Sequence, residues 1–569
     1  MTDRELYEIW CKKATDDPDL VADLKEIENN DTEIKNRFFA DIQFGTAGLR
    51  GILGAGSYYM NIYTVRWATQ GLSEYLNENY ENPAVAIGYD SRHKSREFSV
   101  EAARVLAANG IKTYIYPELV PTPMVSFAIR HLGCKAGIMV TASHNPAKYN
   151  GYKCYGWDGC QMTSEGADAV YNKMKGIDCF DGVKLCDFDE ALVSGRIEWI
   201  NNDVFVSYYE NVMAQAINPG AIAESDLSII YTPLNGAGNR PVREVLRLCG
   251  LKNIAVVAEQ EKPDGDFPTT PFPNPEKPQC FEIAREMAKT IKPDLLMGTD
   301  PDSDRIGIEV NQNGEFVHMT GNEVGALLLN YIINARLANG TMPKDPVAVK
   351  TIVTTNIADA ICKKYGVQLR QVLTGFKYIG EQILHLEQQG QTERYLLGFE
   401  ESYGYLAGSY VRDKDAVVAA MLISEMAGYY KIKGRTLVDV MNELYNEFGY
   451  YYNAVTEIVK EGADGMAQLA GTMASLRDNA PSEIAGYKVL SVSDYKLSEK
   501  TDVATGEKTV IDLPKSDVLA YDLEGGNQVI ARPSGTEPKL KAYYTSKGTD
   551  RENAVDIQKS LAEDFSKLL

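Results

Sequence analysis

Basic charge is what this chain is short of: 58 Lys and Arg stand against 79 Asp and Glu, a formal net charge of −21. An extended nucleic-acid face or a footing on anionic lipid needs a broad basic surface, so neither partner is expected. A small anionic ligand stays open, because a local cluster of cations is enough to hold it. Long apolar runs are missing too, and no stretch reaches the length that spans a bilayer. The opening "MTDRELYEIW" has no basic segment followed by an apolar one, which predicts no secretory signal and a cytoplasmic location. The nine cysteines, from Cys11 to Cys362, are odd in number and spaced for neither a disulfide framework nor a zinc site. Even the nearest group, Cys154 and Cys160, lacks a second pair, so reduced thiols are expected. Low-complexity sequence is absent.

What is present is length and a repeat. At 569 residues the chain exceeds one core, and about three to five domains are expected. An apolar strand, a polar loop, an amphipathic helix with a glycine stop and a second strand recur at 84–116, 227–259 and 346–373. Each is a strand–helix–strand unit of the kind that builds parallel sheet. The copies are too far apart for a solenoid, which predicts three similar α/β domains with parallel or mixed sheets. Beyond about residue 450 the pattern becomes short alternating strands and a closing helix, a smaller α+β domain. Residues 1–40 are helical by period and are expected to pack on the first domain. The proline-rich stretch 259–279 reads as a long ordered loop.

Chemistry concentrates in a few loops. In "VTASHNPAKYNGYK" (140–153) Ser143 and His144 follow an apolar strand, with turns expected at Asn145-Pro146 and Asn150-Gly151. The carboxyl end of a strand is where open α/β sheets carry their chemistry. A hydrolase triad is disfavoured: neighbouring side chains on an extended chain diverge, and no acid is placed to orient His144. In "PDLLMGTDPDSDRIGIEV" (293–310), Asp300, Asp302 and Asp304 alternate between two buried strands. An extended backbone would aim all three to one side, where like charges repel unless a cation intervenes. All-oxygen ligands suit Mg²⁺. An EF-hand does not fit, with Arg305 at the glycine position and Asn311 at the glutamate position. Arg305 itself suits bidentate capture of phosphate.

"ARPSGTEPKLK" (531–541) gathers Arg532, Ser534, Gly535 and Thr536 into a candidate phosphate cradle. "FGTAGLRG" (44–51) offers Thr46 and Arg50 to an anion. "GFEESYGYL" (398–406) sets Glu400 and Ser402 two residues apart, which suits sugar hydroxyls as well as an ordinary charged turn. Lys377 and Lys414 lie in further charged turns.

Four motifs in order, "TASHNP", "GTDPDSDR", "GFEESYG" and "RPSGTEPK", resemble the α-D-phosphohexomutases from about residue 40 to the end. The resemblance implies four domains around a central cleft, the first three alike. Placed on this chain, they span 1–205, 206–322, 323–448 and 449–569. It implies a phosphoserine at Ser143, with that serine and Asp300, Asp302 and Asp304 binding Mg²⁺. Thr46, Arg50, Lys153, Arg305, Thr374, Gly375, Glu400, Ser402, Lys414, Arg532, Ser534, Gly535 and Thr536 would contact substrate, and Lys350 in "VAVKT" would be a cleft lysine. Lys153 and Arg50 would move or stabilise a proton, Lys153 needing a depressed pKa to act as base. His144 would order the serine loop and belongs with the catalytic set.

The implied reaction interconverts glucose 1-phosphate and glucose 6-phosphate through glucose 1,6-bisphosphate, with mannose or pentose phosphates as alternative substrates. The implied state is a monomer or weak homodimer. "NPAKYNGYK" lacks glycines that many members carry there, which points to the longer branch holding bacterial phosphoglucomutases and phosphopentomutase-like enzymes. A sugar-phosphate phosphatase and a non-catalytic bisphosphate sensor are the competing classes.

Overall fold

The computed structural model describes residues 2–45, 48–460, 465–534 and 539–569. It divides into two compact units. One holds residues 1–320, 379–397 and 402–436; the other holds 321–378, 398–401 and 437–569.

In the first unit, strand Ala84–Tyr89, helix Ser95–Ala108 and strand Lys112–Ile115 form a parallel strand–helix–strand unit. Strand Ser228–Thr232, helix Asn239–Leu248 and strand Asn253–Val256 form another. Gly110 and Gly250 end the two helices with φ of +79° and +87°, a region where a side chain is strained. Each sheet is mixed. The first runs Gly48–Ile52, Tyr149–Gly156, Ala136–Val140, Ala84–Tyr89, Lys112–Ile115, Ile197–Trp199, and its first two pairings are antiparallel. The second runs Glu315–Met319, Ile306–Gln312, Leu295–Thr299, Ser228–Thr232, Asn253–Val256, and again begins with two antiparallel pairings.

The amino-terminal segment forms helices Asp3–Lys13, Pro18–Glu26 and Asp31–Phe38. They share the first domain's core through Trp10, whose ring meets Tyr63 and Phe180 at centroid distances of 5.8 and 5.2 Å. Edge-on aromatic pairs of this kind add about 1 kcal/mol each beyond their buried area. Asn150-Gly151 is not a turn: both residues lie inside strand Tyr149–Gly156. A Cβ at Gly151 would sit 2.5 Å from the Thr141 carbonyl oxygen, so the glycine permits close backbone approach rather than a reversal.

The second unit contains the third repeat, strand Val347–Thr351, helix Ile357–Tyr365 and strand Gln368–Val372, with the strands parallel. It also contains the carboxyl-terminal domain, an antiparallel sheet in the order Tyr450–Val459, Lys539–Gly548, Gln528–Pro533, Leu519–Leu523, Tyr487–Asp494, Glu499–Asp502, Lys508–Val510. Helices Gly465–Asp478 and Arg551–Phe565 pack on this domain's core through Met473, Leu476, Leu561 and Phe565. Ile352, Val353 and Leu373 of the repeat share a second hydrophobic cluster with Val518, Ala520 and Ile530 of that sheet.

Candidate active site

The serine loop and the acidic loop leave equivalent places in their two sheets. Strand Ala136–Val140 is buried at all five positions, as its unbroken apolar run requires, and the chain departs from its carboxyl end at Thr141. Ser143 has φ +53°. The left-handed region costs a non-glycine residue about 1–2 kcal/mol, so the neighbours must hold it. Its N–H donates to Thr141 Oγ1 at 2.8 Å. Its hydroxyl donates to Asp300 Oδ2 at 3.0 Å and lies 3.2 Å from His144 Nδ1.

That last contact corrects the sequence-based expectation. Serine and histidine side chains diverge only on extended backbone, and the left-handed turn at Ser143 brings them together. Burial, with Arg305 and Arg50 nearby, holds the imidazole pKa well below its ordinary value, so the ring is neutral. Among the described residues no carboxylate is hydrogen-bonded to His144, and the third member of a hydrolase triad is missing.

The acidic loop joins strands Leu295–Thr299 and Ile306–Gln312. It is a compact turn, not the extended run expected. Ser303 is left-handed at φ +49°, and Asp300 Oδ1 accepts the N–H groups of Asp304 and Arg305 at 3.1 and 3.0 Å. One carboxylate oxygen thus folds the loop and leaves the other for Ser143. All three aspartates are fully buried and offer ligand atoms within 4.8 Å of one another. Asp302 Oδ2 accepts from Lys153 Nζ at 2.7 Å and from Thr122 Oγ1 at 2.8 Å. Burial opposes its charge, but Lys153, together with hydrogen bonds from Asp300 and Thr122, outweighs burial and draws the Asp302 pKa down. Burial, then Asp302 and Asp304, drive Asp300 well above the usual carboxylate range.

Asp302 Oδ1 and Asp304 Oδ1 are buried without a hydrogen-bond partner. Buried polar atoms are rarely left so, and three converging carboxylates with two orphaned oxygens fit a hard divalent cation.

Two ammonium groups flank the triad. Lys153 Nζ also lies 3.1 Å from Asp304 Oδ2, and Lys414 Nζ is 3.2 Å from the same oxygen and 2.9 Å from Asp413 Oδ1. Burial disfavours the Lys153 charge, yet Asp302 and Asp304 prevail and raise its pKa. The depressed pKa expected for a lysine base is therefore not found, because carboxylates rather than cations dominate its surroundings. Arg305 Nη1 is engaged by Glu276 Oε1 at 2.8 Å. Arg50 is exposed on strand Gly48–Ile52, paired across from Gly151. Ser402 is half-buried and precedes Tyr403, whose φ is +64°.

In the other unit, Glu400 is buried and its Oε1 accepts the Gly375 N–H at 3.0 Å. Gly375, at φ +123°, turns the backbone so that its N–H meets that carboxylate, beside the buried Thr374 hydroxyl. Arg532 is the penultimate residue of strand Gln528–Pro533, and Ser534 N–H donates to the Lys539 carbonyl at 2.8 Å. Burial, opposed by Arg532, pushes the Tyr543 phenol up to about 12, and Glu401 and Glu400 push the same way. Arg532 and Glu400 thus act on one phenol.

Lys350 departs from expectation. It is fully buried, and its ammonium donates to the carbonyls of Thr354 and Thr355 at 3.2 and 3.1 Å, to Asn356 Oδ1 at 2.8 Å and to Asp359. That makes it a staple of the 351–359 turn rather than a cleft cation. Thr46, Gly535 and Thr536 lie outside the described residues.

Sequence reasoning missed Asp90, Arg92, Thr122, Thr141 and Asp413. Asp90 and Arg92 follow strand Ala84–Tyr89 as Ser143 follows its own strand, so the carboxyl-end rule would have found them. Thr122 has no such signal; its N–H and hydroxyl reach Asp302 only through tertiary packing.

A hydroxyl bonded into a buried carboxylate triad, with ammonium groups alongside, is the equipment of phosphoryl transfer. Family models for phosphoglucomutase/phosphomannomutase alpha/beta/alpha domains I, II and III match residues 41–179, 206–314 and 320–448. A phosphoglucomutase of Staphylococcus haemolyticus (strain JCSC1435) is 35% identical over 538 residues, 94% of this chain and 95% of the relative. The chain belongs to the phosphoglucomutase/phosphomannomutase family, and it is an isomerase that works by phosphoryl transfer.

Solved structures share the fold. The open form of parafusin, a phosphoglucomutase from Paramecium, superposes with a TM-score of 0.69 at 17% identity, covering 93% of this chain and 96% of that one. The N-acetylphosphoglucosamine mutase of Aspergillus fumigatus, solved with GlcNAc-6P and magnesium, gives 0.50 at 15% identity, covering 93% and 96%. No described helix is long and apolar enough to cross a membrane.

Proposed function

We propose that this chain interconverts α-D-glucose 1-phosphate and glucose 6-phosphate through a phosphoserine at Ser143 and glucose 1,6-bisphosphate, which also primes the enzyme. The observation that carries the reading is the Ser143 hydroxyl held 3.0 Å from Asp300 of the buried triad. Its four domains are taken as 1–205, 206–322, 323–448 and 449–569, in a cytoplasmic monomer or weak homodimer. The 35% identity to a phosphoglucomutase across 94% of the chain supports the choice of glucose.

In one half-reaction the bond between phosphorus and Ser143 Oγ breaks as the free sugar hydroxyl bonds to phosphorus. In the other, Ser143 Oγ takes the second phosphoryl group of the bisphosphate. Each hydroxyl that is phosphorylated releases one proton, and each oxygen that departs receives one. The neutral ring of His144, 3.2 Å from Ser143 Oγ, is placed to exchange the serine proton. Lys153, held protonated, steadies the charge on the transferring group, with Arg50 and Arg305 as further cations. Asp300, Asp302, Asp304 and the phosphorylated serine would hold Mg²⁺, which would supply charge neutralisation to the transfer. Lys414, beside Asp304, is a further substrate contact. Glu400 and Ser402 read sugar hydroxyls, and Thr46, Thr374 and Gly375 are further substrate contacts. Arg532, Ser534, Gly535 and Thr536 take the phosphate that is not reacting.

The test is an assay of purified protein against the 1-phosphates of glucose, mannose and ribose, with intact-mass and peptide mass spectrometry. Glucose 1-phosphate should turn over fastest, and a single phosphoryl group should map to Ser143. Release of inorganic phosphate without isomer formation would make the protein a phosphatase instead.

A further inference from the structure

Behind the serine loop lies a buried ionic pair that the reaction does not touch. Arg92 has a side chain closed to solvent, and its guanidinium donates to four carbonyls of that loop. They belong to Ser143 at 2.5 Å, Asn145, Pro146 at 3.0 Å and Tyr149 at 3.0 Å. Its Nε is 3.4 Å from Asp90 Oδ2, and the same Oδ2 accepts the Thr141 hydroxyl at 2.6 Å. The Thr141 oxygen in turn accepts the Ser143 N–H at 2.8 Å. Asp90 Oδ1 accepts Ser95 Oγ at 2.8 Å and the Arg92 N–H at 3.0 Å, which anchors the pair to the start of helix Ser95–Ala108. The proline-rich loop closes the back: the Phe267 ring lies 5.1 Å from the guanidinium.

Both peptide groups of Ser143 are thus held from one side, its N–H through Thr141 and its carbonyl by Arg92. A guanidinium is suited to this because its five donors form a rigid, splayed fork, whereas an ammonium has three donors on a flexible stem. A left-handed serine persists only when its surroundings over-determine it, and such strain gathers where geometry serves the reaction. A small misplacement of a nucleophile lowers rate steeply, because in-line attack tolerates little error.

We infer that Asp90, Arg92 and Thr141 are positioning residues for the nucleophile, clamping the Ser143 peptide so that its hydroxyl stays aimed into the reaction line. The inference rests on the reading of Ser143 as the phosphate carrier. It predicts loss of turnover with substrate binding intact, since all three are buried and spend their bonds on the loop backbone and on one another.

The experiment compares Arg92→Lys, Thr141→Val and Thr141→Ser with the full-length wild type. It reads kcat, KM, melting temperature and the rate at which glucose 1,6-bisphosphate loads phosphate onto Ser143, followed by peptide mass spectrometry. Thr141→Val keeps the shape and removes the hydroxyl; it should lower kcat and the loading rate by about 10- to 100-fold with KM within about twofold. Thr141→Ser should recover most of both rates, which a purely structural role would not require. Arg92→Lys should behave like Thr141→Val if it folds, and the threonine pair decides the matter if it does not. Kinetics of Thr141→Val within about threefold of wild type, or a rise in KM with kcat unchanged, would overturn the clamp. Wild type that takes no phosphate on Ser143 would overturn the phosphoserine reading instead, so the two failures are distinguishable.

Discussion

Lys153 Nζ lies 2.7 Å from Asp302 Oδ2, the carboxylate closed to water and the lysine side chain nearly so. The pair links the strand after the serine loop to the acidic loop, and each partner favours the charged form of the other against the cost of burial. Asp302→Asn keeps the volume and the acceptor for Thr122 but removes one of three converging charges. Turnover should fall on the order of 10²-fold or more, with the melting temperature nearly unchanged. Steady-state kinetics across a magnesium titration, beside a thermal melt, checks both halves. Wild-type rates at limiting magnesium would remove Asp302 from the ligand set.

Arg532→Ala tests the proposed grip on the distant phosphate. A charge-assisted hydrogen bond of about 1.5–3 kcal/mol corresponds to a KM increase of roughly 10- to 100-fold. Because each phosphate of the substrate takes its turn at the reacting end, forward and reverse reactions should suffer alike. Initial rates measured in both directions decide it, and impairment in one direction alone contradicts a shared cradle.

Lys350 separates a staple from a substrate contact. Lys350→Met keeps the stem and removes the ammonium that four oxygens hold. Breaking a buried pair on one side costs about 3–5 kcal/mol, and the value here should fall below that range because Asp359 is 41% exposed. The expected outcome is a lower melting temperature with KM unchanged in the folded fraction.

Glu387 supplies a pH dependence away from the chemistry. Its carboxylate meets Arg130 at 2.6 Å and the fully buried Arg412 at 2.8 Å. Burial alone would raise its pKa, but the two guanidinium groups outweigh burial and lower it. A carboxylate depressed in the folded state stabilises fully above its unfolded pKa near 4.5 and loses that contribution as pH falls through the lower folded value. The side chain is 38% exposed, so solvent screening limits the effect to about 1 kcal/mol. Glu387→Gln should therefore melt below wild type at pH 7, and the gap should close as the pH drops below 4.5 in thermal melts across that range.

The repeats were legible because strand and helix periods and glycine stops are local signals. The strands at 84–89, 228–232 and 347–351 were readable as apolar runs, and Gly366 closes the third helix at φ +67°, as its place in the sequence suggested. Two strands of the last domain, Tyr487–Asp494 and Glu499–Asp502, were not read. In the first, hydropathy runs against burial, with Ser491, Ser493 and Asp494 buried and Leu490 exposed, and its partner strand Leu519–Leu523 comes later in the chain; the second is polar throughout and pairs with the first and with Lys508–Val510.

Sequence alone determined the residue types and the loops: a serine after a buried strand, three aspartates between two others, an arginine with hydroxyls near the end. Those follow from composition and spacing, which survive any folding. Tertiary structure decided what each residue does. It turned Ser143 left-handed so that His144 faces it, set Lys153 among carboxylates so that its pKa rises, and buried Lys350 in its own turn. It also put Arg92 behind the nucleophile, 51 residues away in the chain. Protonation and aim depend on neighbours within a few ångströms, and those neighbours come from distant parts of the sequence that only the packed fold brings together.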